Sequence, residues 1–461
     1  MSAARFGSVT LGYAAFVVYG SLVPLAFRYR PLGEAWAAFV QMPYLQLGVG
    51  SRADWVANIL LYIPLGFFAC GWLAARVRTS PASILVWILC ALLAVAVEFT
   101  QLFFPPRTVS LNDLAAEWIG AGLGIALWHS AGERLAGLWQ DVERGGQRGA
   151  RALIALYTAA YVGFSLFPYD FLVSATELAQ KLSGAGVSAW FFDASCGNRL
   201  TCGLKLLAEV LTAAPLGAFL GMVAPAGRKP GLARAFGWGV LLGFAIEGLQ
   251  TFLASGVSQG ASIVTRGLGM ALGLAVYRFF RKEWLIEYRA QIKIVALSAL
   301  PLYVVLLLAM IGFFTSNLES GSSALAKLQQ VRFLPFYYHY FTSETQALYS
   351  LLLHAGAYAP IGLMLWILRD KQGDETSLRL SALAAFVAAG AMESLKLFLE
   401  GRRPDPTDAL IAAAAAALAC FAATRLAHWS QAPAASAGSA PPELLPRAHL
   451  RVVSPAAPKR T

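Results

Sequence analysis

Three glutamates sit at matching places in otherwise apolar runs. "VEFTQLF", "IEGLQTF" and "MESLKLF" carry Glu98, Glu247 and Glu393. A second polar residue follows three positions on, on the same helical face: Gln101, Gln250 and Lys396. An ionised side chain at the centre of a bilayer costs ~2.5 kcal/mol or more, so such residues mark a pairing or a site. Arg107 and Asp113 follow Glu98 by nine and fifteen residues, and Arg402 and Asp408 follow Glu393 at the same offsets. After Glu247 those places hold Gly256 and Ser262, while Arg266 stands one turn beyond Ser262, where the first set has Glu117.

Two chemistries fit this pattern. One is an arginine–carboxylate latch, Glu98 to Arg107 and Glu393 to Arg402, closing a helical hairpin beneath the lipid headgroups. The other is a polar cavity built from the same groups. In the middle set, Glu209 and Glu247 are expected to pair with Arg266 as a structural cluster. His354, Glu393 and Asp408 could ligate a metal, but a hydrogen-bonded polar cluster is the simpler expectation, and neither metal nor cofactor is called for. The glycine-rich stretches "IGAGLGIAL" and "GLGMALGLA" follow no strand and end in no Gly-Lys-Ser/Thr, so they read as close helix packing and not as a phosphate loop.

The elements that must position these residues are membrane helices. The chain is 58% hydrophobic and 13% charged, with a mean hydropathy of +0.60, whereas about a quarter of residues are charged in soluble domains. Runs of the ~20 apolar residues needed to cross a bilayer recur at about 8–27, 54–74, 82–104, 112–129, 151–168, 203–223, 233–254, 261–280, 292–314, 346–368, 378–399 and 408–427. Arg5 precedes the first run and no small-residue cleavage site follows it, so that run is expected to stay as a transmembrane helix. The net charge of +11 does not point to nucleic acid. With the N-terminus inside, the inner loops and both termini collect most of the 36 basic residues, which is the positive-inside pattern.

The runs repeat. "NILLYIPLGFFACGWL", "EVLTAAPLGAFLGMVA" and "HAGAYAPIGLMLWILR" share a proline–apolar–glycine core, Pro64/Gly66, Pro215/Gly217 and Pro360/Gly362, with Asn58, Glu209 or His354 six residues before the proline. The prolines are expected to break their helices. The expected fold is therefore an all-α polytopic membrane protein, about twelve transmembrane helices in three parallel four-helix repeats: 1–148, a degenerate 149–290, and 291–430. Residues 431–461, rich in Pro, Ala and Ser, are expected to form a disordered cytoplasmic tail. Because each unit has four helices, an even number, all three units enter from the same side, which gathers the polar residues at the outer ends of the helices. The long outer loops, about 28–53, 169–202 and 316–345, are rich in aromatics ("WFFD", "RFLPFYYHYF"), as in an interfacial belt or a roof of half-buried segments.

Together "NILLYIPLG", "EFTQLFFPPR" and "NDLAAEWIGAGLG" resemble the VanZ-like family, small bacterial membrane proteins named for a teicoplanin-resistance factor. The third unit carries a recognisable version; the second lacks the Arg and Asp. Where the family pattern has Asn four residues after the Asp, this chain has Glu117. The resemblance implies a bacterial inner-membrane location and a link to the cell envelope and glycopeptide susceptibility, with no reaction attached. Three readings of function follow: a protein that binds or modulates an envelope lipid or lipid-linked precursor at the outer leaflet, a transporter, or a membrane enzyme on a lipid-linked substrate with Glu98 or Asp113 as base. The first is preferred, which makes membrane lipids the expected partners.

Orientation can be tested through the cysteines. "SCGNRLTCG" places Cys196 and Cys202 six apart in the second outer loop, where Gly197 and Asn198 favour a turn and an oxidising compartment lets a disulfide persist. In outer-permeabilised cells, an impermeant thiol reagent is expected to label both cysteines only after reduction. Labelling that needs a breached inner membrane inverts the topology.

Overall fold

In the computed structural model the described residues are 3–44, 48–74, 79–183, 199–224, 230–279, 288–369 and 375–431. The expected tail, "WFFD" and Cys196 lie outside them. Within them run sixteen helices: α1 (Ala3–Leu22), α2 (Leu32–Val40), α3 (Val49–Ala74), α4 (Thr79–Gln101), α5 (Leu111–Arg144), α6 (Gly146–Ser165), α7 (Ala175–Ser183), α8 (Arg199–Val223), α9 (Leu232–Gln250), α10 (Gly260–Phe279), α11 (Arg289–Met310), α12 (Gly321–Gln330), α13 (Tyr337–Tyr340), α14 (Glu344–Leu368), α15 (Glu375–Lys396) and α16 (Pro406–Gln431). The described residues contain no strand, only two isolated bridges, Phe171 with Leu253 and Leu318 with Leu399. The protein is an all-α, multi-pass membrane fold.

Nine of these helices are long and apolar enough to cross a membrane: α3, α4, α8, α9, α10, α11, α14, α15 and α16. The other three expected runs also form helices, α1, α5 and α6. Of these α5 is 34 residues long, far beyond the expected run, because nothing stops it until Gly145. Gly145 and Gly146 both take positive φ, +75° and +66°, a conformation cheap only for glycine, and so turn the chain directly into α6.

The prolines do not break their helices. α3, α8 and α14 each run through Pro64, Pro215 and Pro360. A proline within a helix removes one backbone hydrogen bond and crowds the preceding turn. In each case a tyrosine from a neighbouring helix reaches that disturbed turn and donates to the carbonyl three residues before the proline. Tyr13 bonds Leu61 O (3.0 Å), Tyr157 bonds Thr212 O (2.6 Å) and Tyr303 bonds Ala357 O (2.6 Å). A borrowed donor of this kind keeps a proline-containing helix continuous in lipid.

The glycine two residues after each proline sets the helix spacing. Gly66 lies against Ala121 of α5, Gly217 against Met270 of α10 and Gly362 against Ala416 of α16, each meeting a backbone carbonyl. Tyr62 and Tyr358, fully buried, fill the first and last bundles beside these contacts. The short helices outside the bundles also clasp them. Lys181 of α7 donates to the carbonyls of Gln250 and Leu253, and Lys327 of α12 to that of Leu399 (2.7 Å), where free carbonyls at helix ends attract cations. Arg52 of α3 reaches Glu177 of α7 at 2.8 Å and links the first bundle to the second. Its hydrogen bonds hold the Glu177 carboxyl down at about 2.

Gly66→Ala, Gly217→Ala and Gly362→Ala would each drive a methyl into a carbonyl of the facing helix. Each is expected to lower stability by about 1–3 kcal/mol in detergent unfolding. Gly356→Ala, with open space around it, is expected to change it by less than about 1 kcal/mol.

Candidate functional site

All three glutamates share one backbone contact. Glu98 accepts from the N–H of Ser110, Glu247 from that of Gln259 (2.5 Å), and Glu393 from that of Asp405 (2.8 Å), each twelve residues later at the start of the following helix. The carboxylate thus closes the turn that precedes α5, α10 and α16. A second bond repeats in two bundles: Gln101 Nε2 donates to Ser21 O and Gln250 Nε2 to Ser165 O, at 2.9 and 2.8 Å.

The expected arginine latch is not formed. Arg107 makes no ion pair with Glu98; its guanidinium lies over the Tyr340 ring, 5.2 Å from the centroid. Arg402 makes none with Glu393; its Nε faces Ser316 Oγ at 3.4 Å and its head packs on Gly312. The shared nine-residue offset reflects equal turn lengths. The arginines lie at the rim, while the glutamates face inward and are bonded to backbone.

What balances each glutamate differs. In the last bundle it is Lys396, 2.6 Å from Glu393 Oε1 and 3.5 Å from Asp408 Oδ2. His354 Nε2 lies 3.1 Å from the same Asp408 oxygen. His354, Glu393 and Asp408 do come together, but a fixed ammonium already stands among them. In the middle bundle Arg266 Nη1 lies 2.5 Å from Glu247 Oε1, with its Nε on the Tyr161 hydroxyl at 3.1 Å. Glu209 does not join that pair. It accepts from Ser262 (2.9 Å) and Thr265 (2.6 Å), hydroxyls that satisfy it without a cation.

In the first bundle no cation among the described residues pairs with Glu98 or Glu117. Asp113 is held by Asn58 Nδ2 (2.8 Å) and by the hydroxyl of Ser110 (2.7 Å), which also caps α5. Glu98 and Glu117 are each 2% exposed. Glu98 Oε2 and the Gln101 Oε1 beside it are buried and meet no hydrogen-bond donor among the described residues, while Glu117 has the otherwise unpartnered Tyr62 hydroxyl within hydrogen-bond reach. Glu98, Gln101 and Glu117 line a cavity of about 660 Å³ together with Asn58, Arg107 and Asp113. Its far wall comes from the last third of the chain: His339 and Tyr340 of α13, and Glu344, whose carboxyl comes within hydrogen-bond reach of that of Asp54. Arg107 also borders a second pocket of about 550 Å³ that contains Arg28, Arg30 and Glu34.

Asp54, Glu344, His339, Tyr340 and Asp405 went unnoticed in the sequence. The only signal was the aromatic loop "RFLPFYYHYF", read as an interfacial belt. In the structure Tyr340 also donates to Pro106 O, and Tyr19 donates to Pro335 O at 2.6 Å, so this loop is seated on the first bundle. His339 Nδ1 lies 3.3 Å from Asp405 Oδ2, and that carboxylate raises the imidazole above its ordinary value. Cys202 is in a disulfide, while Cys70, Cys90 and Cys420 are free.

An all-α membrane bundle with buried carboxylates gathered at one end of its helices is the class these features define. Residues 6–132 match the family model VanZ/LLP1, so the first bundle is similar to that family. No curated protein and no solved structure matches it.

The three bundles are expected to respond differently to loss of charge. Arg266→Met strands a buried carboxylate and is expected to cost about 3–5 kcal/mol, with Arg266→Met/Glu247→Met restoring most of it. Glu98→Gln, which can still accept from Ser110, is expected to cost less than about 1 kcal/mol by the same unfolding measurement.

Proposed function

We propose that this is a bacterial inner-membrane protein that holds the polar head of an envelope lipid, or of a lipid-linked envelope precursor, in the cavity between its first and last bundles, on the outer side of the membrane. The observation that carries this reading is the pair of buried acceptors on Glu98 and Gln101, which line one cavity beside Glu117 without a donor from the protein. Leaving a buried acceptor unpaired costs about 1–3 kcal/mol each, so a ligand rich in hydroxyl or amine donors gains what the protein forgoes. Arg107, shared with the pocket of Arg28 and Arg30, is the place for a phosphate, which guanidinium groups meet in two-pronged fashion. The basic residues concentrated at the opposite ends of the helices support the outward orientation.

The recurring glutamate–amide, tyrosine–carbonyl and glycine–carbonyl contacts support reading the bundles as three four-helix repeats, 1–148, 149–290 and 291–430. In that reading the middle repeat, closed by Arg266, is structural, and the first and last build the site. A role in glycopeptide susceptibility would follow from sequestering or presenting such a headgroup. A transporter fits less well, because midplane sites are built on broken helices and α3, α8 and α14 continue through their prolines.

Native mass spectrometry of the detergent-extracted protein tests the proposal. Wild type is expected to retain a phosphate-bearing lipid with a donor-rich head, and Arg107→Ala to lower its retention roughly ten- to a hundredfold, the worth of a charge-assisted hydrogen bond. Glu98→Gln/Glu117→Gln is expected to change which headgroups are retained. Identical lipid profiles in all folded variants would overturn it.

A further inference from the structure

We propose that His339, Asp405 and Asp408 form a binding site for a borderline divalent ion such as zinc, open toward the cavity between the first and last bundles. One ligand atom from each residue lies within 4.8 Å of the other two. The 3.3 Å between His339 Nδ1 and Asp405 Oδ2 matches the roughly 3.4 Å that separates two ligands of a tetrahedral zinc ion with bonds of about 2.0–2.1 Å.

The two aspartates are built for it. Asp408 is 3% exposed, and its Oδ1 is buried with no hydrogen-bond partner, while His354 Nε2 faces the other oxygen and fixes the carboxylate's rotation. Asp405 Oδ1 accepts from Thr407 N–H at 2.9 Å, which leaves Oδ2 for the ion. Thr407 Oγ1 in turn accepts from Phe336 N–H at 2.9 Å and so ties the loop carrying His339 to the start of α16. Outer contacts of this kind orient ligands before a metal arrives. His339 Nδ1 is turned to Asp405 Oδ2, and its Nε2 has no hydrogen-bond partner among the described residues.

Charge points the same way. Among the described residues Lys396 pairs with Glu393 at 2.6 Å and with Asp408 Oδ2 at 3.5 Å, but not with Asp405. The neighbouring triad of His354, Glu393 and Asp408 has the same residue types but already encloses Lys396, so the site with His339 is the one free to bind. His339 lines the cavity, which provides the access route. Three protein ligands leave the fourth position of a tetrahedral ion open to it. An imidazole with two carboxylates suits zinc over magnesium, which prefers an all-oxygen octahedron.

The test is zinc titration of the full-length protein in detergent, with thiols alkylated and metal first removed by chelator. One zinc per chain is expected, undisturbed by excess magnesium. His339→Ala and Asp408→Asn are each expected to weaken it at least tenfold, and His129→Ala to leave it unchanged. Should a variant misfold, zinc protection of His339 from carbethoxylation in the wild type gives the same answer. No stoichiometric zinc binding would overturn the proposal. So would full affinity in folded His339→Ala, or loss of binding in His354→Gln but not in His339→Ala, which would place the ion in the other triad.

Discussion

A carboxylate buried among apolar helices must be satisfied from close at hand, and this fold does so with backbone. Each of Glu98, Glu247 and Glu393 receives the amide of the residue twelve positions later, so the turn between two helices is closed by the group that most needs a partner. The start of the next helix is thereby fixed, and with it Asp113, Arg266 or Asp408 on its first turns. The remaining valence of each glutamate is left to whatever else arrives. In the middle bundle that is Arg266 and in the last it is Lys396, whereas in the first the corresponding places hold Glu117 and neutral Gln101. One constraint thus produces two bundles whose glutamate meets its own cation and one whose glutamate faces a cavity.

Much of this was legible in the sequence. Hydropathy marked the helices, and the spacing of Pro64/Gly66, Pro215/Gly217 and Pro360/Gly362 marked the element that packs most tightly. The failures have physical causes. Proline was read as a break because its missing N–H is visible in sequence, whereas the donors from Tyr13, Tyr157 and Tyr303 lie on another helix and leave no local sign. The Arg107 latch was inferred from charge and offset, but offset cannot say whether a rim side chain turns inward. Tyr340, more than two hundred residues away, draws Arg107 outward.

The same distance hid the cavity. Its near wall is a local motif, but its far wall is an aromatic loop whose docking on the first bundle follows from Tyr19–Pro335 and Tyr340–Pro106 contacts. Those contacts bring together Asp54, Glu98, Asp113, Glu117 and Glu344 with Arg107 as the cation at the rim. Such a surface favours a ligand that brings donors, and it makes Arg107 a contact for the ligand in place of a latch. Asp113, with both oxygens engaged by Asn58 and Ser110, acts as part of the wall.

The first and last bundles meet to enclose this cavity, and the sharpest probe of that meeting is the pairing of Asp54 with Glu344. With both replaced by cysteine, a short bifunctional thiol-alkylating reagent applied from outside the membrane should join the two positions within one chain, as read by peptide mass mapping. A matched pair of Asp54→Cys with Ser255→Cys, on the middle bundle, should stay unlinked. Absence of the 54–344 link in folded, labelled protein would mean that the bundles do not meet there, and the cavity with its proposed ligand would fall with them.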